Sequence, residues 1–457
     1  MSVSTASSPA VDARPRTSLA VAMLGFFVVA LDAQIVNVAL PAIHNHLGGG
    51  LSGLQWVVTG YTLMFSALQL FAGTFSDRAG ARRAYGLGMI LFVVASGACA
   101  MSPSLPALVG ARILQGIGAA MITPASLALI REAYHDAAAR GRAIVYWGLG
   151  GSVAAAAGPV LGGLLTQLDW RLIFFVNLPV GAVSLGILSR VAVSPRRPEP
   201  FDWTGQISAV VGLAALTYGI IEGAEAGYGS PAIILMFAVA VVAITAFIIA
   251  QARGWHPMIP LDLFRSRAVS TALTIAVVTM AGFYGIVFVQ SLYFQQERGA
   301  SALETGLLFL PMTALVAILN PWIARLMAKY GHVAMIAAGQ LIMAGGLAGL
   351  CLLPADAPVL LVSALMVPVG VGGSFTVPSI IAQVMDSVPA ERAGTASGVV
   401  NTARQVGGSL GVAIFGAVIA SGEFITGLRA SLGATAVVLI VLVVASLAFQ
   451  RRRHATT

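Results

Sequence analysis

A stretch of chain that crosses a bilayer has few structures open to it, because lipid offers the backbone no hydrogen-bond partners and only helices or closed barrels satisfy it. This sequence contains fourteen long apolar runs, over residues 18–42, 53–74, 84–102, 105–130, 141–166, 171–192, 205–224, 231–251, 268–294, 302–326, 332–353, 358–384, 395–420 and 428–450. A helix needs roughly 17 to 25 residues to traverse a ~30 Å hydrocarbon layer, whereas a barrel strand needs only about 9 to 11. The runs therefore predict an all-α polytopic membrane protein with fourteen transmembrane helices. Composition agrees: 58% hydrophobic residues, 9% charged residues and a mean hydropathy of +0.91 exclude an ordinary soluble domain.

An even number of spans puts both termini on one side, and the basic residues say which. Only Arg171, Arg298 and Arg429 fall in loops opposite the termini, and Arg112 and Arg404 fall inside runs; the other twenty of the 25 Lys and Arg residues lie on the side of the termini. By the positive-inside rule both termini are expected in the cytoplasm, with the chain multi-pass in the cell membrane. The net charge of +8 is thus a topology signal, scattered over eight short segments rather than gathered for nucleic acid. Residues 1–17 superficially resemble a secretory signal, but the following run is too long, lacks a cleavage site and contains Asp32. Cys99 and Cys351 lie in runs, where they read as small buried hydrophobes rather than a disulfide.

The sequence repeats itself. Gly116-Ile117-Gly118 and Pro124 in the fourth run return as Gly370-Val371-Gly372 and Pro378 in the twelfth, and each is followed by a basic loop, Arg140-Gly141 and Arg392-Ala393-Gly394. A weaker echo joins the Gly80 loop to Arg325–Gly331, with the acid Asp77 replaced by Ala328. The expected division is a tail at 1–17, a six-helix bundle at 18–192, a linker with two inserted helices at 193–267, a second six-helix bundle at 268–450 and a tail at 451–457. Parallel repeats of this kind frame a mid-membrane site between the halves in many transporters.

Charges inside apolar runs mark where that site has to be. A carboxylate at the centre of a span costs about 2.5 to 3.5 kcal/mol on insertion scales, so Asp32 needs a partner, water or a proton. Burial disfavours the charged form and water favours it, so alternating access can load and release a proton there. Arg112 can stabilise a carboxylate and respond to its protonation; Arg404 is either a second interior cation or a cytoplasmic-end contact. The polar stretch Gly73-Thr74-Phe75-Ser76-Asp77-Arg78-Ala79-Gly80-Ala81-Arg82-Arg83 reads as a loop whose Asp77 pairs in one state and separates in another. Gly158-Pro159, with Gly162 and Gly163, is expected to bend a helix and admit a close neighbour.

These residues together resemble the major facilitator superfamily, in particular its fourteen-helix drug:proton antiporter branch. The resemblance covers nearly all of 18–450 and rests on Leu31–Pro41, Gly73–Arg83, Arg112–Gly118, Gly158–Gly163 and Trp170–Pro179; Leu292–Gln295 and Leu310–Thr313 are similar to methylenomycin-resistance exporters. It implies the major facilitator fold of two six-helix bundles, a monomer, proton coupling at Asp32 and Arg112, conformational control by Gly73, Asp77, Arg78, Gly80, Arg82 and Arg83, and an antiporter motif at Gly158-Pro159. Ala81 departs from the family, which often has a basic residue there.

Soluble-enzyme patterns fall away. Gly407-Gly408-Ser409-Leu410-Gly411 fits a hydrolase pattern but lies in an apolar run with no strand before it, His44-Asn45-His46 lacks a third metal ligand, and no Walker loop is present. The expected cargo is a small neutral, zwitterionic, weakly acidic or monocationic amphiphile, exported as a drug or antibiotic with the proton gradient as energy source, and no cofactor, metal or nucleic acid is expected. Gln34, Asn37, Gln55, Trp56, Tyr61, Gln115, Tyr284, Gln290, Asn401 and Arg404 are candidates for its pocket, although membrane-interface anchoring suits the aromatics equally. The alternatives are a dedicated proton-coupled carrier of one metabolite and, more distantly, a membrane sensor or membrane-embedded enzyme.

Overall fold

The computed structural model describes residues 15–196, 200–254, 256–389 and 393–454. They form fifteen α-helices and no strand: α1 (Pro15–Leu47), α2 (Leu51–Ala79), α3 (Ala81–Ala100), α4 (Leu105–Ala133), α5 (Ala137–Leu168), α6 (Leu172–Phe175), α7 (Asn177–Leu188), α8 (Trp203–Ala226), α9 (Pro231–Arg253), α10 (Arg267–Leu292), α11 (Ala302–Tyr330), α12 (His332–Leu352), α13 (Val359–Asp386), α14 (Ala393–Ala420) and α15 (Phe424–His454). Arg14, Arg197 and Arg392 of the topology argument lie outside the described residues, as do 1–14 and 455–457 of the expected tails.

Among the described residues, thirteen helices are long and apolar enough to cross a membrane. The sixth run differs from its expectation, being split at Val176 into α6 and α7. Pro179 explains the split, since it has no N–H to offer the carbonyl of Phe175. The two pieces still cross. Rising ~1.5 Å per residue, they cover about 25 Å, and they run antiparallel to α3: Arg82 Nη2 donates to Ser189 O at 3.1 Å, Tyr85 OH meets Ser184 Oγ at 2.6 Å and Ser96 Oγ donates to Phe174 O at 2.9 Å.

Two further expectations are corrected. The Gly73–Arg83 stretch is not a loop, because α2 runs to Ala79, α3 starts at Ala81, and Gly80 alone makes the turn at φ 90°. Only glycine holds that conformation without cost, so one residue replaces a loop. At the other end of the chain, α15 continues to His454, through most of the expected 451–457 tail.

Packing follows the repeat. Gly118 sits where a Cβ would lie 2.7 Å from the backbone of Phe92 on α3, and Gly372 sits where a Cβ would lie 2.8 Å from the backbone of Met343 on α12. Gly116 faces the backbone of Tyr61 on α2, and Gly370 faces that of Met312 on α11. Gly331, between α11 and α12, turns at φ 79° as Gly80 does at 90°. The same small residues thus let the same helices touch in each half.

Between the halves, α5 packs along α11 and α2 along α14. The hydrogen bonds described there lie in the membrane half away from the chain ends: Gln55 Nε2 donates to Val412 O at 3.2 Å and Ala413 O at 2.9 Å, Ser291 Oγ to Asn37 O at 2.7 Å and Gln295 Nε2 to Val38 O at 3.0 Å. That side is sealed. Helix α8 lies against both α2 and α14, and α9 packs on α8, with Leu235, Val241 and Val242 exposed.

Candidate functional site

Asp32 lies mid-helix on α1 and is fully buried. Arg112 reaches it from α4, equally buried, and its Nη1 pairs with Asp32 Oδ2. A buried pair is tolerable only when the remaining lone pairs and protons also find partners, and here most do. Gln115 Nε2 and Asn177 Nδ2 each donate to Asp32 Oδ1 at 2.8 Å. Arg112 Nε donates to Val57 O at 2.9 Å, and its Nη1 also reaches Gln115 Oε1 at 2.7 Å. Ser96 Oγ accepts from Gln115 at 3.2 Å and from Asn177 at 3.0 Å. The guanidinium carbon sits 4.3 Å from the ring centre of Tyr61, a distance for cation–π attraction. Arg112 Nη2 and Asn177 Oδ1 are buried without a partner.

Five helices meet at this cluster, which joins Asp32 of α1, Tyr61 of α2, Ser96 of α3, Arg112 and Gln115 of α4, and Asn177 of α7. Gln115 and Tyr61, expected along a cargo pocket, are here partners of the charges; Tyr61 OH donates to Val29 O at 3.1 Å. Ser96 and Asn177 were not singled out by sequence reasoning as site residues. One signal pointed to Asn177, a polar side chain where an apolar run is interrupted ahead of a proline.

The remaining candidates are dispersed. Asn37 spends its amide on Ala33 O and Gln34 O, while its own carbonyl accepts from Ser291. Gln34 is buried where a Cβ on Gly158 would meet its own Cβ at 2.7 Å. Gln55 belongs to the seal between α2 and α14. Trp56 turns away from the centre: its indole donates to Glu222 at 2.8 Å and its ring packs against Tyr218, both on α8. Gln290 lines a small cavity inside the second half with Tyr293, Leu350 and Leu428. Arg404 donates to Asn401 Oδ1 at 3.1 Å, and Tyr284 packs beside Gly408 on the same helix.

Helix α5 runs continuously through Pro159. Its glycines admit close neighbours: Gly162 meets Ile35 O, Gly163 meets Ala302 O, and the carbonyl of Pro159 faces Gly306 on α11. At the Gly80 turn, Asp77 is exposed and forms no ion pair among the described residues. Arg78 lies 4.9 Å from the ring centre of Phe201, Arg82 N donates to Ser194 Oγ at 3.0 Å, Arg83 is exposed, and Gly73 has open space around it. Contacts here run through Arg82 and Ser194, which also reaches Glu132 on α4. Among the described residues no cluster of metal-ligating side chains exists, and His46 accepts from the Trp170 indole at 3.3 Å. Cys99 and Cys351 are free thiols.

The sequence matches the family model of the Major Facilitator Superfamily over residues 22–412. The chain belongs to the major facilitator superfamily. It is 38% identical over 401 residues to the multidrug resistance protein Stp of Mycobacterium tuberculosis, covering 87% of this chain and 74% of the relative. It is 35% identical over 413 residues to the methylenomycin A resistance protein of Bacillus subtilis, covering 88% and 87%. Among solved structures, a peptide transporter POT in complex with sulfate aligns at a TM-score of 0.71 with 15% identity, covering 96% of this chain and 95% of that one. As a major facilitator superfamily member the chain is a multi-pass membrane transporter and not an enzyme.

Proposed function

We propose that this chain is a proton-coupled antiporter that exports small amphiphilic compounds, drugs or antibiotics among them, by alternating access across the cell membrane. The observation that carries the reading is the buried Asp32–Arg112 pair, in which the one buried carboxylate among the described residues is bonded to α4 and α7 and, through their side chains, reaches α2 and α3. Protonating Asp32 removes the charge that holds Arg112 Nη1, while Arg112 Nε keeps Val57 O and its face keeps Tyr61. The tie between α1 and α4 weakens, and α1 also carries the carbonyls of Asn37 and Val38 that Ser291 of α10 and Gln295 just beyond it hold at the seal. The proton occupancy of Asp32 and the state of the seal are thus coupled through one helix. The names of the relatives, a multidrug resistance protein and a methylenomycin A resistance protein, support export as the direction. The excess of basic residues beside the chain ends supports cytoplasmic termini, so the sealed side faces outward.

The test is efflux of a panel of amphiphiles from proteoliposomes under an imposed pH gradient, comparing the intact protein with Asp32→Asn. Gradient-driven transport of several compounds, lost in the variant, is the expected result. Transport of one compound alone points to a dedicated carrier, and unaffected transport in Asp32→Asn overturns the proton site.

A further inference from the structure

Resting on the export reading, we propose that Arg404, with Asn401 and Tyr284 beside it, receives an acidic group of the cargo, which makes weakly acidic amphiphiles the preferred substrate class. Arg404 stands about 16 Å along α14 at ~1.5 Å per residue, well inside the span. Uncompensated, a guanidinium at such depth costs about 2.5 to 3.5 kcal/mol. The two fully buried charges of the described residues, Asp32 and Arg112, compensate each other. Arg404 has no carboxylate within ion-pair distance among the described residues. Its Nη1 has only the neutral Asn401 Oδ1, and its Nε is buried without any partner.

The neighbours fit an anion. A Cβ on Gly408 would lie 3.0 Å from the Tyr284 ring, so the phenol of α10 stands over the same stretch of α14 one turn beyond Arg404. Helix α2 packs along α14, and its Tyr61 carries Arg112 over its ring. A carboxylate or acidic hydroxyl seated at Arg404 gains a charge-assisted hydrogen bond to Nε and a phenol donor nearby. A cationic cargo would meet the guanidinium of Arg404, and the one buried carboxylate among the described residues already accepts from Arg112, Gln115 and Asn177.

Binding of three fluorescent probes to the purified full-length protein in nanodiscs tests this: dansylglycine (anionic), its methyl ester (neutral) and dansylcadaverine (cationic). The intact protein is expected to bind dansylglycine at least about tenfold more tightly than the ester, the equivalent of one charge-assisted hydrogen bond. Arg404→Gln should abolish the preference for the acid over the ester, and Arg404→Lys should keep part of it. An intact protein that binds the ester or the amine as tightly as the acid, or none of the three, overturns the proposal, as does an acid preference that survives in Arg404→Gln. If Arg404→Gln does not fold, the ranking in the intact protein decides alone. Because the readout is binding without a gradient, loss of the Asp32 proton reading leaves this result standing, and the reverse.

Discussion

The two halves of the molecule share their packing and differ in their chemistry. Gly116 and Gly118 of α4 do against α2 and α3 what Gly370 and Gly372 of α13 do against α11 and α12. Carrying the same offset to the cluster places Met366 and Val369 where the first half has Arg112 and Gln115, and the Gly80 to Gly331 offset places Leu347 where it has Ser96. All three are buried apolar side chains. One backbone plan therefore supports a charged network in one half and a packed apolar core in the other.

The comparison breaks most sharply if the first half is given the second half's residue. Arg112→Met leaves Asp32 buried without its partner, and stability should fall by about 3 to 5 kcal/mol, measured as the unfolding midpoint in nanodiscs. Combining it with Asp32→Leu should restore most of that stability, since an apolar replacement of a buried pair is often neutral, while gradient-driven efflux stays lost. A double variant as unstable as the single one would mean that the fold needs the charges.

Next in size, Gly118→Ala and Gly372→Ala should each cost about 1 to 3 kcal/mol by overpacking, because both new methyls meet backbone rather than a movable side chain. Similar losses in the two variants sharpen the claim of shared packing; a loss in one alone breaks it. At the turns, Gly80→Ala and Gly331→Ala both force a positive φ on alanine, at about 1 to 3 kcal/mol. Gly80 should be the worse, since its Cβ would also crowd Ser194 O at 3.1 Å whereas Gly331 has nothing within 4 Å. The smallest effect belongs to Met366→Leu, a volume-conserving change expected to cost below about 1.5 kcal/mol with efflux retained.

Much of this was legible in the chain, for reasons the same comparison makes plain. Fourteen crossings and the glycine repeat follow from apolar length and from spacing, which are properties of one segment at a time. Asp32 and Arg112 stood out because a charge in an apolar run is costly wherever it points. Neutral polar residues carry no such penalty, so Ser96 and Asn177 do not stand out in the sequence, and Gln115 reads there as a cargo contact rather than as a partner of the carboxylate it holds. Trp56 and Gln55 are adjacent on α2 yet face α8 and α14 respectively. Which neighbour a helix face meets is settled by tertiary packing that a one-dimensional pattern does not encode. The Gly73–Arg83 stretch reads as a loop because its residues are polar, but one glycine at a positive φ is enough to turn the chain.

The most direct measurement of the central claim is proton release on cargo binding. Purified protein in a weakly buffered solution with a pH indicator is mixed with an exported compound that carries no titratable group, and Asp32→Asn is measured beside it. The account predicts protons released by the intact protein and none by Asp32→Asn, with Arg404→Gln still releasing them once cargo is saturating. Equal release from the intact protein and from Asp32→Asn would contradict it, and would place the exchangeable proton elsewhere in the chain.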